Sequence, residues 1–135
     1  MFARSHGLIY LIDDREHKVR RRKGGIYVSL TIEAMQKRVD EYISQFKEGY
    51  FTPMTLIVRL TEELGELARE VNHLYGEKPK KSTEAEGSIA LELGDLMFVI
   101  SCLANRLGID LSKSFEDVMN KFETRDHDRW TRIDA

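Results

Sequence analysis

The chain is predicted to fold as an all-α four-helix bundle, and three observations agree on this. From residue 31 onward, apolar residues recur every three or four positions in four segments, which is the spacing of one helix face. Short polar stretches separate the segments, as expected for neighbouring helices in a bundle. The 135 residues are 41% hydrophobic and 33% charged, a balance that suits one domain with one core.

The first two helices have clear start signals. In residues 31–46, "TIEAMQKRVDEYISQF", Thr31 is the predicted N-cap of an amphipathic helix. Thr52 is the predicted N-cap of the second helix, with a proline at the first helical position, where the missing N–H leaves no bond unmade. We expect this helix to span about residues 53–74, with its leucines on one face.

The third and fourth helices follow a polar connection. Residues 75–88, "YGEKPKKSTEAEGS", combine glycine, proline and three lysines and are predicted to form a mobile loop. The third helix is predicted over about 86–106 and to end at Gly108. Asp110 is the predicted N-cap of the fourth helix, residues 111–125.

The N-terminal part differs from the rest in charge and pattern. Residues 1–28 hold seven Lys/Arg against three Asp/Glu, whereas the rest of the chain is acidic. Residues 7–12 and 25–30 have strand-like composition, so a β-hairpin with a long basic loop and a disordered extension are both open. A start codon at Val28 is a further hypothesis, since "KGGIYV" is encodable by a ribosome-binding sequence followed by GTG. The chain thus divides into a basic extension at 1–28, a helical domain at 29–126 and a tail at 127–135.

Bulk properties exclude several classes of protein. The net charge of −2 does not favour nucleic-acid binding. The single cysteine, Cys102, excludes an intramolecular disulfide and fits a small core residue. The longest apolar run, residues 96–104, is too short to cross a bilayer, and no signal peptide is recognisable. We therefore expect a cytoplasmic protein with neither a membrane nor a nucleic-acid partner.

The first acidic cluster lies in "TEELGELAREV" at 61–71. By itself the pattern of Glu62, Glu63 and Glu66 is typical of a solvent-exposed helix face. Glu63 lies at the edge of the apolar stripe, however, and Glu66 follows it by one turn, so both can point at one object. Glu70 is expected to lie outside any such site.

The second acidic pair is less easily explained as surface. Glu92 and Asp95 are the only charged residues in 89–104, a segment that is apolar around its whole circumference and is predicted to be buried on nearly all sides. A buried carboxylate costs several kcal/mol unless something compensates it. A role at the helix N-terminus would account for Glu92 but accounts poorly for Asp95. The pair therefore points to a function.

The two pairs together predict a metal site. The second and third helices are joined by a loop long enough for an antiparallel return, which lets the two pairs face each other. Oxygen ligands select hard ions, Mg²⁺ or Mn²⁺. A di-iron site would need Glu-x-x-His spacing, which neither pair has. His73 is expected to be a surface or interface residue.

The spacing of these acids also resembles a known family. EExxE at 62–66, followed by ExxD at 92–95, resembles the MazG-like nucleoside triphosphate pyrophosphohydrolases, an all-α superfamily. The resemblance covers about residues 31–130 and is strongest to the short, single-domain bacterial proteins of the YpjD type. "RLTEELGELAREVNH" and "NKFETRDHDRWTR" carry much of it.

The resemblance implies an activity and a set of site residues. Such enzymes cleave a (d)NTP between the α and β phosphates, giving a nucleoside monophosphate and pyrophosphate. The apolar stripes of the four helices separately predict a homodimer or homotetramer, because one chain leaves them uncovered. The implied ligands of Mg²⁺ or Mn²⁺ are Glu63, Glu66, Glu92 and Asp95. Glu62 is implied to assist catalysis together with Glu63 and Glu66. Lys121 and Arg125, one turn apart on the fourth helix, are implied to bind phosphate oxygens.

Other candidate residues come with ordinary alternatives. Lys78, Lys80 and Lys81 either close over the phosphates or simply solvate a loop. The aromatic residues Phe46, Tyr50 and Phe51 either stack on a nucleobase or belong to the core. The alternative to an enzyme is a non-catalytic helical module for metal or nucleotide binding, or for oligomerisation alone.

Overall fold

Four helices make up the domain, so the predicted all-α bundle is confirmed. In the computed structural model, the described residues are 21–22, 25–26, 30–83, 87–126, 129–131 and 133. The helices are α1 (Ile32–Ile43), α2 (Pro53–Tyr75), α3 (Ile89–Leu107) and α4 (Leu111–Arg125).

Each helix begins at a side-chain cap. The hydroxyls of Thr31, Thr52 and Ser88 and the carboxylate of Asp110 accept the backbone N–H three residues on, at 3.1 to 3.4 Å. Three of these caps were predicted. The fourth, Ser88, makes α3 begin three residues later than expected, because a capped N-terminus fixes where the first helical turn can start.

Two glycines adopt the left-handed backbone conformation. Gly108 (φ 66°) closes α3, as predicted, and its N–H donates to carbonyls of the last turn. Gly49 (φ 61°) lies in the α1–α2 connection. The first helix is shorter than expected, because it ends at Ile43. Phe46 lies in the turn that follows, and its N–H donates to the carbonyl of Ile43.

The helices pack around α3. This helix contacts α2 and α1, and α4 packs on α1. Four buried side chains form the core, Val39, Leu56, Val99 and Cys102, with Ile43, Tyr50, Leu60 and Leu103 packed against them. Cys102 is thus the small core residue that its apolar setting predicted, and burial raises the pKa of its thiol.

The expectation that α3 is buried on nearly all sides is wrong for the single chain. Leu91 and Met97 expose 69% and 52% of their surface, because the packing of α3 on α1 and α2 leaves these side chains uncovered. Asp95 is exposed as well, so Glu92 is the only buried carboxylate on α3. Among the helices that the structure describes, none has both the length and the apolar content that a bilayer crossing requires.

A second uncovered apolar surface lies on α4, which has no buried residue. Four of its five large apolar side chains are between 38% and 57% exposed: Phe115, Val118, Met119 and Phe122. Their spacing places them on one face of the helix. We call this face the α4 stripe.

A polar network ties α1, α3 and the start of α4 together. The Asn105 amide donates to the Gln36 carbonyl (2.9 Å) and to the Tyr50 hydroxyl (3.0 Å), and its oxygen accepts from the Gln36 side chain (2.9 Å). Gln36 also donates to the Ile109 carbonyl and accepts from the Leu111 N–H, both at 2.9 Å. Nothing in the helical periodicity indicated this network, because its members are far apart in sequence.

The N-terminal extension is described only in part. Two two-residue strands, Arg21–Arg22 and Gly25–Ile26, pair antiparallel. Residues 21 and 22 fall in the segment expected to be a basic loop, so this ladder is not the predicted hairpin. Residues 7–12, the other predicted strand, lie outside the described residues, as does Val28.

The network predicts that Asn105→Ala destabilises the fold. The variant loses three hydrogen bonds and leaves partners on α1 and the α1–α2 connection unsatisfied, so we expect a loss of about 2 kcal/mol in the free energy of unfolding. Urea titration followed by circular dichroism measures it. Asn120→Ala, on the exposed face of α4, is the matched control. Equal stability of the two variants would contradict the role given to Asn105.

Candidate active site

Three carboxylates from α2 and α3 meet where these helices pack. Oxygen atoms of Glu63, Glu92 and Asp95 all lie within 4.8 Å of one another. Glu63 and Glu92 are buried, each with 8% of its surface exposed, and Asp95 is exposed. The structure thus brings one acid of the first predicted pair together with both acids of the second.

Glu92 is the acid whose surroundings fit a cation best. Its Oε2 is buried and has no hydrogen-bond partner among the described residues. Burial raises the pKa of its carboxyl group, and the charges of Glu66, Asp95 and Glu63 raise it further. A buried oxygen without a donor, surrounded by like charges, is the arrangement that a hard cation stabilises.

The two remaining acids of the EExxE motif lie further out. Glu66 is half exposed and lies 4.0 Å from the Arg69 guanidinium. Its negative charge contributes to the raised pKa of Glu92, but its oxygens are not among those of the three acids that lie within 4.8 Å of one another. Glu62 is exposed and accepts a hydrogen bond from Arg59 at 2.6 Å. Of the four predicted metal ligands, three therefore have carboxylates close together, and Glu66 lies beside them.

A cavity of about 470 Å³ adjoins these acids. Glu63 and Asp95 line it on the acidic side, and Arg59 lies with them. The rest of the lining is mostly aromatic and apolar, apart from Glu48, and its aromatic members are Tyr42, Phe46, Tyr50, Phe51 and Phe98. All three aromatic residues singled out from the sequence therefore lie in one cavity with two of the candidate ligands, and its volume is in the range of small-molecule sites.

The three aromatic residues differ in how they are held. Tyr50 is fixed, because its hydroxyl donates to Asp40 at 2.8 Å and accepts from Asn105. Burial, together with the Asp40 carboxylate, raises the pKa of Tyr50 to about 12. Phe46 and Phe51 are about half exposed, so their rings can contact a molecule in the cavity.

The predicted phosphate-binding cations do not line this cavity in the single chain. Lys121 and Arg125 lie on α4, which packs on α1, and Arg125 forms an ion pair with Asp126 at 3.0 Å. Lys78 and Lys81 are exposed in the segment after α2. Lys80 instead bonds the Glu70 carboxylate at 3.4 Å.

His73 was expected at the surface or in an interface, and its side chain is covered within the single chain. Its side chain is only 5% exposed and lies 4.0 Å from the buried Glu70, because the segment after α2 returns over this end of the helix. Lys80 approaches Glu70 from that segment, and a side chain at Gly87 would collide with the Glu70 carboxylate. Glu70 thus belongs to a separate ion-paired cluster, consistent with its expected place outside the site.

Sequence reasoning also missed Arg59. Its guanidinium bonds Glu62 and Glu63, three and four residues further along α2. This helical spacing was available as a signal, since a cation one turn before an acid faces it.

Comparison with known proteins shows which family the chain resembles. The sequence model of the MazG nucleotide pyrophosphohydrolase domain matches residues 51–130. The YpjD protein of Bacillus subtilis (strain 168) is 62% identical over 102 residues, which cover 76% of this chain and 92% of that protein.

Two solved structures are similar as well. The crystal structure of YpjD from Bacillus subtilis matches with a TM-score of 0.66 and 57% identity over 73% of this chain and all of that one. A Bacillus-conserved MazG protein, described as a nucleotide pyrophosphohydrolase, matches with a TM-score of 0.62 and 58% identity over 73% and 95%. The matched family is one of enzymes, which sets aside the non-catalytic alternative. The chain belongs to the MazG nucleotide pyrophosphohydrolase family.

Proposed function

We propose that the chain hydrolyses nucleoside triphosphates between the α and β phosphates, with Mg²⁺ or Mn²⁺ as cofactor. The products are a nucleoside monophosphate and pyrophosphate. Substrates include non-standard (d)NTPs, whose removal would be the protein's task in the cytoplasm. Membership of the family supports a nucleotide substrate, and the acidic cluster supports the metal.

One observation carries this proposal: a single cavity has an acidic side and an aromatic side. A nucleotide has the matching two parts, a polyanionic chain that needs cations and a flat base that packs on aromatic rings. Glu63 and Asp95 supply the first side, and Phe46 and Phe51 supply the second. Tyr50 gives the aromatic side a fixed position through its bonds to α1 and α3.

The chemistry requires charge neutralisation and alignment more than a covalent step. When bound, the metal lowers the pKa of a coordinated water and neutralises phosphate charge. Glu63, Glu92 and Asp95 hold it, and Glu66 approaches this group from one turn further along α2. Glu62, exposed beside Glu63, is assigned to accepting a proton from, or orienting, the attacking water.

We assign the candidate lysine and arginine side chains to binding the phosphates of the substrate. Lys78 and Lys81 are exposed on the segment that follows α2 and do not line the cavity of the single chain. Lys121 and Arg125 lie on α4, which packs on α1, and we assign them to the cavity of a second copy of the chain. The proposal therefore includes a homodimer or homotetramer, and the exposed α4 stripe supports it.

The activity is tested by pyrophosphate release over a panel of canonical and damaged nucleotides. We expect release with Mg²⁺ or Mn²⁺ and none with a chelator. Glu63→Gln, Glu92→Gln and Asp95→Asn should each lower the rate about 100-fold or more, since each removes one charged metal ligand. The matched control is Glu41→Gln, an exposed acid on α1.

The same variants separate loss of the site from loss of the fold. Circular dichroism should show native helix content for all four variants. Release from no nucleotide in the panel, or equal rates for Glu92→Gln and Glu41→Gln, would overturn the proposal.

Glu92→Gln should also change stability in a characteristic way. Without metal it should unfold at a higher temperature than the wild type, because a buried carboxylate among like charges is replaced by a neutral amide. Added Mg²⁺ should raise the unfolding temperature of the wild type but not of the variant, since only the protein that binds the ion gains stability by mass action. Thermal unfolding with a chelator and with Mg²⁺ measures both effects.

The α4 stripe predicts the oligomeric state. Replacing Phe115 and Phe122 with glutamate should convert the wild-type oligomer to monomer, because like charges would then face the partner chain. Light scattering coupled to size exclusion measures the mass. Asn120→Glu, on the polar face of the same helix, is the control. A monomeric wild type, or an unchanged mass in the double variant, would contradict this use of the stripe.

A further inference from the structure

Arg59 holds two acids of the EExxE motif at once. Its Nη1 donates to Glu62 at 2.6 Å and its Nη2 donates to Glu63 at 2.8 Å. The two acids differ in exposure, because the Glu63 side chain is 11% exposed and that of Glu62 is 53% exposed. Arg59 is thus the partner that neutralises the buried Glu63, and Glu62 anchors the other branch of the guanidinium.

Glu63 has two competing partners: the Arg59 guanidinium and the metal ion of the proposed site. Its carboxylate bonds the guanidinium, and it is also one of the three acids whose oxygens lie within 4.8 Å. A divalent cation bound by this group would lie close to the positive charge of Arg59. Two cations sharing one buried carboxylate repel each other, and a low-dielectric setting strengthens this repulsion. Binding of the metal therefore weakens the ion pair between Arg59 and Glu63, and this ion pair weakens binding of the metal.

The Arg59 side chain also has space for a position away from Glu63. It is 49% exposed, and it lines the aromatic cavity together with Asp95, Phe46 and Phe51. Its branch toward Glu62 is on the solvent side, where an ion pair is weak and easily exchanged. The guanidinium can therefore leave Glu63 by rotating within the cavity mouth, without unfolding any part of α2.

We propose that Arg59 is an internal counter-ion of Glu63 that competes with the divalent cation for this carboxylate. In the metal-free protein it neutralises and orients the buried acid. When the cation binds, the guanidinium is displaced. The inference rests on the metal site of the proposed function and assigns to Arg59 the control of how tightly that site takes its ion.

The test is Mn²⁺ binding by Arg59→Gln, measured by titration calorimetry and by the electron spin resonance of free Mn²⁺. We expect an affinity about fivefold higher than that of the wild type, which corresponds to losing one partly exposed competing ion pair. With a chelator, the variant should unfold at a lower temperature, because Glu63 is left buried without a partner. Lys113→Gln removes an equal charge from an exposed pair on α4 and should change neither quantity.

The opposite signs of these two effects exclude a merely supporting role. If Arg59 only stabilised the helix, its loss would lower both the unfolding temperature and the Mn²⁺ affinity. Unchanged or weaker Mn²⁺ binding by Arg59→Gln, with normal binding by the wild type, would overturn the inference and leave the proposed function intact. Absence of binding by both proteins would overturn the metal site and the inference together.

A measurement on the wild type avoids any folding defect of the variant. Side-chain ¹⁵N NMR during Mg²⁺ titration should show the Arg59 guanidinium signals shifting at the midpoint of metal binding, as the hydrogen bond to Glu63 breaks. The signals of Arg106, on α3 and exposed, serve as the internal control. Arg59 signals that stay unchanged through saturation would overturn the proposed displacement.

Discussion

The packing of α2 on α3 holds carboxylates closer together than their charges favour, and the site depends on this constraint. Glu63 and Glu92 are buried at the contact, and Asp95 completes the group at its edge. Apolar packing of two long helices is strong enough to impose this arrangement, because each contributes many buried contacts while the repulsion involves only a few groups. In the proposed function, a bound cation relieves this repulsion.

The polar network around Asn105 gives this site its second side. It joins α1, the end of α3 and the start of α4, and through Tyr50 it fixes the α1–α2 connection. That connection carries Phe46 and Phe51 to the same cavity as Glu63 and Asp95. The aromatic wall is therefore positioned by hydrogen bonds and the acidic wall by helix packing, so the two can respond separately to substitution.

The single chain leaves much of its apolar surface uncovered, so this surface is available for contact with another chain. The core is small, and no residue of α4 is buried. Large exposed apolar faces on a protein domain mark interaction surfaces. The proposed role of Lys121 and Arg125 on this uncovered helix would therefore link assembly to catalysis.

The sequence by itself determined the helices, most of their caps and the chemical class of the site. Periodicity and capping are local properties, so Thr31, Thr52, Gly108 and Asp110 could be identified without knowing what packs where. The acids of the two motifs were likewise recognisable from their spacing. Tertiary structure decided which of them meet: Glu66 lies beside the close group, and Asp95 is exposed. It also decided that Arg59 bonds Glu63 and that His73 is buried, because exposure and long-range contact depend on which helix faces are covered.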